Sequence, residues 1–211
     1  MRLTRIISAA LCTAMVFSLT GCFGGSKITP DKLVDYAKDE GAAVYDTIDS
    51  FNNRSVLIKE TNMKNGYVTN YKYEELISAA QKGETDEEAV RKHFNIHPDV
   101  ESPVEIAIYK KQLADGDSDV INANMFIFEN NEAAKDYFDI RTKNDNLLKH
   151  GEENGIEYFN YADKSEWSTL REGFYLQDSC VLVIYCYSSN KDFHPYYDIC
   201  KKMGLPALED D

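Results

Sequence analysis

The chain has 211 residues, a net charge of −13, and 43% hydrophobic and 12% aromatic residues. That length is one domain by default, and the apolar content suffices for a core, which excludes a disordered acidic tail. The acidic excess excludes nucleic acid as a partner, because nucleic acid demands clustered Lys and Arg, and argues against adhesion to anionic lipid or wall polymers.

Arg2 and Arg5 are the only charges before residue 22. Residues 6–19 are mostly apolar, interrupted by Ser8, Thr13 and Ser18. This run is shorter than the roughly 20 residues that a spanning helix needs and suits a secretory signal. It closes on Leu19-Thr20-Gly21-Cys22. The basic flank, apolar run and small residues before a cysteine resemble the signal peptide and lipobox of bacterial lipoproteins. The resemblance implies cleavage between Gly21 and Cys22 and a diacylglycerol on the Cys22 thiol. Residues 1–21 are then the signal peptide, and their removal takes two arginines, leaving the remainder more acidic. Each buried methylene contributes about 0.8 kcal/mol, so two acyl chains hold where one would slip. Residues 22–28, with Gly24-Gly25-Ser26, read as a lipidated tether. Residues 29–211 are then a single extracytoplasmic domain at the cell membrane.

Thr29-Pro30-Asp31 opens a helix, with an N-cap, a proline at the first turn and an acid for the dipole. Leu33, Val34 and Ala37 share one face, and Gly41 ends the helix. Residues 42–51 continue as a second helix on the spacing of Val44, Tyr45, Ile48 and Phe51. Residues 62–71 read as a loop or weak hairpin around Asn65-Gly66. Residues 73–82 form a helix stopped by Gly83. Thr85-Asp86-Glu87-Glu88 caps the next, with Val90, His93 and Phe94 on one face. Residues 29–100 are thus expected to be mainly helical.

From residue 103 the period changes to two. Val104, Ile106 and Ile108 alternate as a strand, and residues 120–129 form a second. Asn130 caps a helix carrying Ala134, Tyr137 and Phe138 inward. Residues 156–161 form a third strand. Residues 168–176 and 179–187 pair across Gln177-Asp178. Residues 180–186 are apolar on both faces, which places that strand centrally. Phe193, Tyr196, Tyr197, Cys200 and Met203 make a final helix before Gly204. The expected fold class is α+β: a mostly antiparallel sheet with helices on one face, preceded by a helical N-terminal segment, residues 103–205 supplying the sheet and two helices. Residues 126–138, 171–185 and 199–205 resemble the domain of uncharacterised small lipoproteins of Gram-positive bacteria. That resemblance covers about half the chain and implies no specific function.

Candidate chemistry is sparse. His93 and His97 stand four apart, a metal-pair spacing on a helix, but no third ligand accompanies them. Asp115, Asp117 and Asp119 have the first ligand offsets of a calcium loop, yet Val120 and Phe126 stand where Gly and Glu are needed. Ser188 and Lys191 make a Ser-x-x-Lys without companion motifs. No metal site and no catalytic residue is therefore assigned, and no cofactor beyond the lipid on Cys22. Cys180 and Cys186 lie about 20 Å apart along one strand and cannot bond each other, whereas Cys186 with Cys200 is open to bonding. Trp167, Tyr158, Tyr161, Tyr175 and Tyr187 fall on the sheet and are the candidate binding face. The reading is a membrane-anchored, non-catalytic binding module. Its partners are the bilayer, through Cys22, and an envelope or extracellular protein. A small-ligand carrier, or an enzyme with a site assembled from dispersed residues, is the alternative.

Overall fold

The structure, a computed structural model, describes residues 28–45, 66–80, 87–112, 119–143, 149–164, 168–189 and 195–207. In chain order the elements are α1 (Pro30–Asp39), β1 (Ala43–Tyr45), β2 (Tyr67–Lys72), α2 (Tyr73–Ala80), α3 (Glu87–His93), β3 (Glu105–Gln112) and β4 (Val120–Ile127). There follow α4 (Asn131–Thr142), β5 (Lys149–Glu153), β6 (Ile156–Lys164), β7 (Thr169–Gln177), β8 (Cys180–Ser188) and α5 (Pro195–Met203). The strands form one 8-stranded sheet in the order β1-β2-β3-β4-β8-β7-β6-β5. Every pairing is antiparallel except β1 with β2.

The helix caps follow from local chemistry. Thr29 accepts from the Lys32 N–H, with Pro30 opening α1, and Asn130 accepts from the Ala133 N–H to open α4. Gly41, at φ 78°, ends α1 in the left-handed region open to glycine. The chain then turns into a strand, not a second helix. Ala43–Tyr45 lies parallel to Tyr67–Thr69, so β1 draws its hydrogen bonds from a partner more than twenty residues away. Residues 46–51 of the expected helix lie outside the described residues. Residues 67–71, part of the stretch expected as loop or weak hairpin, lie in the strand β2, which pairs along its whole length with β3. β1 and β2 thus join the N-terminal part to the sheet, while α1, α2 and α3 are helices within the expected helical segment 29–100. Ile28, expected at the end of the tether, is buried in the core, and its N–H donates to Gln177 Oε1 at 3.2 Å.

Two strand ends were drawn differently by the sequence. β5 was not expected, because Lys149-His150-Gly151-Glu152-Glu153 offers no apolar alternation. It forms as a polar edge strand because Asn154 and Gly155, at φ 54° and 75°, make a tight two-residue turn into β6. The β7–β8 turn sits at Asp178-Ser179, one residue later than expected, with Gln177 paired to Cys180.

Helices cover both faces of the sheet, which corrects the expected one-sided packing. On one face Val68, Tyr109, Ala123, Leu182 and Ile184 pack against Leu33, Tyr36 and Ala37 of α1 and Tyr196, Ile199 and Met203 of α5. On the other, Ile106, Phe126, Val181 and Phe174 pack against Leu76 of α2, Val90 of α3 and Tyr137 and Phe138 of α4. Both side-chain sets of β8 are apolar, and each needs a cover to leave water. β8 lies between β4 and β7, as its composition requires.

The C-terminal helix docks through a buried polar cluster. The Tyr175 hydroxyl donates to Asn160 Oδ1 at 3.0 Å, lies 2.6 Å from the Tyr196 hydroxyl and 3.2 Å from Cys200 Sγ. A Cβ at Gly173 would collide with the Tyr196 hydroxyl, so only glycine lets that ring sit on the sheet. Cys180, Cys186 and Cys200 are buried free thiols, pushed up to about 12 by burial, so Cys186 and Cys200 are not bonded.

Glu40 clips three elements. Its Oε1 accepts from Lys202 Nζ of α5 at 2.7 Å and its Oε2 faces Lys111 Nζ of β3 at 3.4 Å. The Lys202 hydrogen bond holds the Glu40 carboxyl below its usual range, against a smaller opposing effect of burial. A depressed carboxylate stabilises the fold when ionised, and that contribution is lost as pH falls through the folded-state value. The cluster is partly solvated, so Glu40→Gln is expected to cost under about 1 kcal/mol at pH 7. The gap between the two proteins should close in denaturant melts below pH 4, roughly where the unfolded carboxylate protonates. Ile184 is fully buried on the central strand, and Ile184→Ala should cost about 2–5 kcal/mol by urea unfolding.

Candidate functional site

The proposed aromatic face does not assemble as one surface. Tyr158 and Tyr175 point to the α1/α5 side, where Tyr175 is fully buried under Tyr196 and Tyr158 packs against the same core. Tyr175 is thus a core residue and leaves the candidate binding face. Tyr161 and Tyr187 occupy the opposite face of the sheet, by the strict alternation of strand side chains. Trp167 lies outside the described residues, as do Gly21 and Cys22.

What the structure does show is an end of that opposite face over which none of the described helices packs. α2, α3 and α4 pack over Ile106, Phe126 and Val181, and do not reach the other end of the strands. There Tyr161, Glu172, Tyr185, Asn122 and Lys110 run side by side across β6, β7, β8, β4 and β3. Along β8 alone the exposure climbs from 0% at Val181 through 7% at Val183 to 36% at Tyr185. Tyr185 belonged to the central strand and was not expected at the site. The signal was present in its spacing, since it shares a face with Tyr187, but only helix placement decides which end stays open.

Where this open strip meets α3 there is a cavity of about 190 Å³, open on one side. Tyr67, Phe94 and Ile108 are the apolar residues that line it, and His93, Lys110, Asn122 and Asn124 the polar ones. Lys110 and Asn122 are directly opposed across β3 and β4, which sets their Cβ atoms about 4.5–5.5 Å apart on one face. Asn122 Oδ1 is buried with no hydrogen-bond partner among the described residues.

His93 stands at the end of α3, its ring edge-on to Phe94 at 4.8 Å between centroids. Partial burial of the ring, and then the Lys110 ammonium, hold its pKa below the ordinary histidine value. The i, i+4 helical spacing of His93 and His97 is not built. α3 stops at His93, Asn95 turns left-handed at φ 56°, and His97 is exposed with its Nδ1 accepting from the Asp99 N–H at 3.2 Å. Arg91 fixes this turn by donating to the carbonyls of His97, at 3.0 Å, and Val100.

The other motifs resolve structurally. Asp119, the third acid of the calcium-like run, is 2% exposed and accepts from the Ser189 N–H at 2.9 Å and the Ser189 hydroxyl at 2.8 Å. It anchors the end of β8, and Asp115 and Asp117 lie outside the described residues. Ser188 is buried beside it, 3.5 Å from Asp119 Oδ2, and Lys191 is likewise outside. Among the described residues no group of three or more His, Cys, Asp and Glu is placed to hold a metal ion. Among them, too, no helix is long and apolar enough to cross a membrane.

Comparison with protein-family models, curated proteins and solved structures finds no match. The site must therefore be read from its own chemistry.

A histidine with a depressed pKa is neutral in the fold and takes up a proton on unfolding, so it lowers stability as pH drops below about 6.5, the unfolded value. His93→Gln removes that proton uptake. Its loss of stability between pH 7 and pH 5 should be shallower than that of the native protein, measured by urea midpoints across that range.

Proposed function

We propose that this chain is an extracytoplasmic lipoprotein, held to the cell membrane by diacylglycerol on Cys22, whose folded domain is a non-catalytic binding module. The observation that carries the anchor is the sequence Leu19-Thr20-Gly21-Cys22 at the end of an apolar run that begins after Arg2 and Arg5. The acidic character of the chain supports a domain that stands off anionic lipid on its tether. The described fold starts at Ile28, six residues after Cys22, and a tether that short keeps the domain near the bilayer. An envelope or extracellular protein is the partner class consistent with that position.

The small-ligand carrier reading is favoured by one specific observation. The cavity beside α3 joins Tyr67, Phe94 and Ile108 to His93, Lys110, Asn122 and Asn124, the mixed composition of a small-molecule site. No arrangement of nucleophile, base and orienting group accompanies it among the described residues, so the carrier is preferred to the enzyme.

Anchoring is tested by metabolic labelling with palmitate in a bacterial host that lipidates exported proteins. The native chain should take up label and enter the detergent phase, and Cys22→Ser should do neither. Labelling of the Cys22→Ser protein at the native level would remove the anchor assignment.

A further inference from the structure

At one end of the sheet, β5 (Lys149–Glu153) pairs with β6 and with no other strand among the described residues. Four of its five residues, Lys149, His150, Glu152 and Glu153, are exposed. An edge strand presents unpaired N–H and C=O groups that another strand can take up. The turn at Asn154-Gly155 decides which groups these are. In a two-residue hairpin the residues flanking the turn, here Glu153 and Ile156, exchange hydrogen bonds. Alternation then turns the N–H and C=O of Lys149, Gly151 and Glu153 toward β6, and those of His150 and Glu152 toward the open edge.

The side chains of this edge are complementary to themselves. Along β5 they are basic before the glycine, at Lys149 and His150, and acidic after it, at Glu152 and Glu153. A second β5 laid antiparallel against the first, with Gly151 facing Gly151 of the other copy, sets Lys149 opposite Glu153 and His150 opposite Glu152, each pair twice. The backbone selects that register, because the outward groups of His150 and Glu152 must face each other to bond. A slip of one residue sets outward groups against inward ones. A slip of two sets either Glu152 or His150 against its own copy, and like charges directly opposite repel. Charged side chains ordinarily protect an edge from pairing, but the order of charge here turns that repulsion into attraction. Within the chain Glu152 stands opposite Glu157, a like-charge pair across β5 and β6. Glu157 is held by Lys135 Nζ at 3.0 Å and His150 Nε2 at 3.3 Å. Among the described residues neither Glu152 nor Lys149 has an ion-pair partner in its own chain.

We propose that two copies of this chain associate edge to edge through β5, antiparallel about Gly151, so that the sheet of one molecule continues into the other. Four main-chain hydrogen bonds join His150 and Glu152 of each copy to Glu152 and His150 of the other. The contact is isologous and therefore closes at two copies. Five residues a side are far fewer than the roughly 20–30 of a standard interface, so the dimer is weak, and trapping measures it better than sizing. The association needs neither the cavity beside α3 nor the lipid on Cys22.

Disulfide trapping on the full-length protein in detergent tests the register. Lys149→Cys and Glu153→Cys proteins are prepared separately and oxidised with copper phenanthroline, each alone and the two mixed. The mixture should yield a cross-linked pair, because positions 149 and 153 of opposite copies form a non-hydrogen-bonded pair with Cα atoms about 4.5 Å apart, within disulfide reach. Each protein alone should yield about ten-fold less, since position 149 stands four residues along the strand from its own copy, about 13–14 Å. Cys180, Cys186 and Cys200 are buried, and peptide mapping by mass spectrometry tells the new bond from any made by Cys22. No cross-link in the mixture, or equal cross-linking alone and mixed, would overturn the pairing. Amide NMR on dilution tests the charges. The His150 and Glu152 amide shifts should depend on concentration in the native protein. Lys149→Glu should weaken the association about ten-fold, and Lys149→Glu/Glu153→Lys should restore it. Thermal melts check that both variants are folded. Association unchanged in Lys149→Glu, or absent in the folded double variant, would overturn the charge-matched dimer.

Discussion

Two-sided burial of β8 is the constraint on which the rest depends. Its seven residues from Cys180 to Cys186 put Leu182 and Ile184 on one side and Val181 and Val183 on the other, and six of the seven are 7% exposed or less. A strand of that kind cannot sit at an edge or face water on either side without exposing apolar area at about 25 cal/mol per Å². It therefore demands strands on both flanks and helices above and below. β4 and β7 supply the flanks, α1 and α5 one cover, and α2, α3 and α4 the other.

The two covers differ in character, and the difference places the site. The α5 side closes over a buried polar knot, in which the hydroxyls of Tyr175 and Tyr196 converge on Asn160 above the missing side chain of Gly173. Hydrogen-bonded hydroxyls of this kind fix one packing geometry, since any slip leaves one of them buried and unpaired. The α2/α3/α4 side is apolar and shorter than the strands beneath it. At its limit the sheet passes from Phe126 and Val183 to Asn124, Asn122, Lys110 and Tyr185. The candidate site is that boundary, where the sheet carries polar groups that none of the described helices covers and α3 contributes His93 and Phe94.

This location suits a binding role in physical terms. Groups on the middle strands of a sheet are held by their neighbours on both sides, so Lys110 and Asn122 keep their spacing without help from a loop. The membrane anchor proposed on Cys22 and the cavity beside α3 are separate devices in the chain, one a matter of address and the other of recognition, and neither requires the other.

Much of the C-terminal half was legible in the sequence. The change of period at residue 103, the Asn130 cap, the apolar run 180–186 and the i, i+3, i+4, i+7 spacing of the last helix each carry their own local signal, and each element formed where it was read. The central place of β8 followed from its composition alone. What the sequence could not show was whatever depended on a distant partner. β1, β2 and β5 are short, polar or mixed segments that become strands because β2, β3 and β6 offer them hydrogen bonds. The sorting of the tyrosines was equally invisible: strand alternation separates Tyr175 from Tyr187, but only the reach of the helices leaves Tyr185 open and Tyr175 sealed. Local propensity and periodicity set the elements and their apolar faces, while the pairing of Lys110 with Asn122 and the cavity beside α3 exist only because tertiary packing brings together residues that no local rule connects.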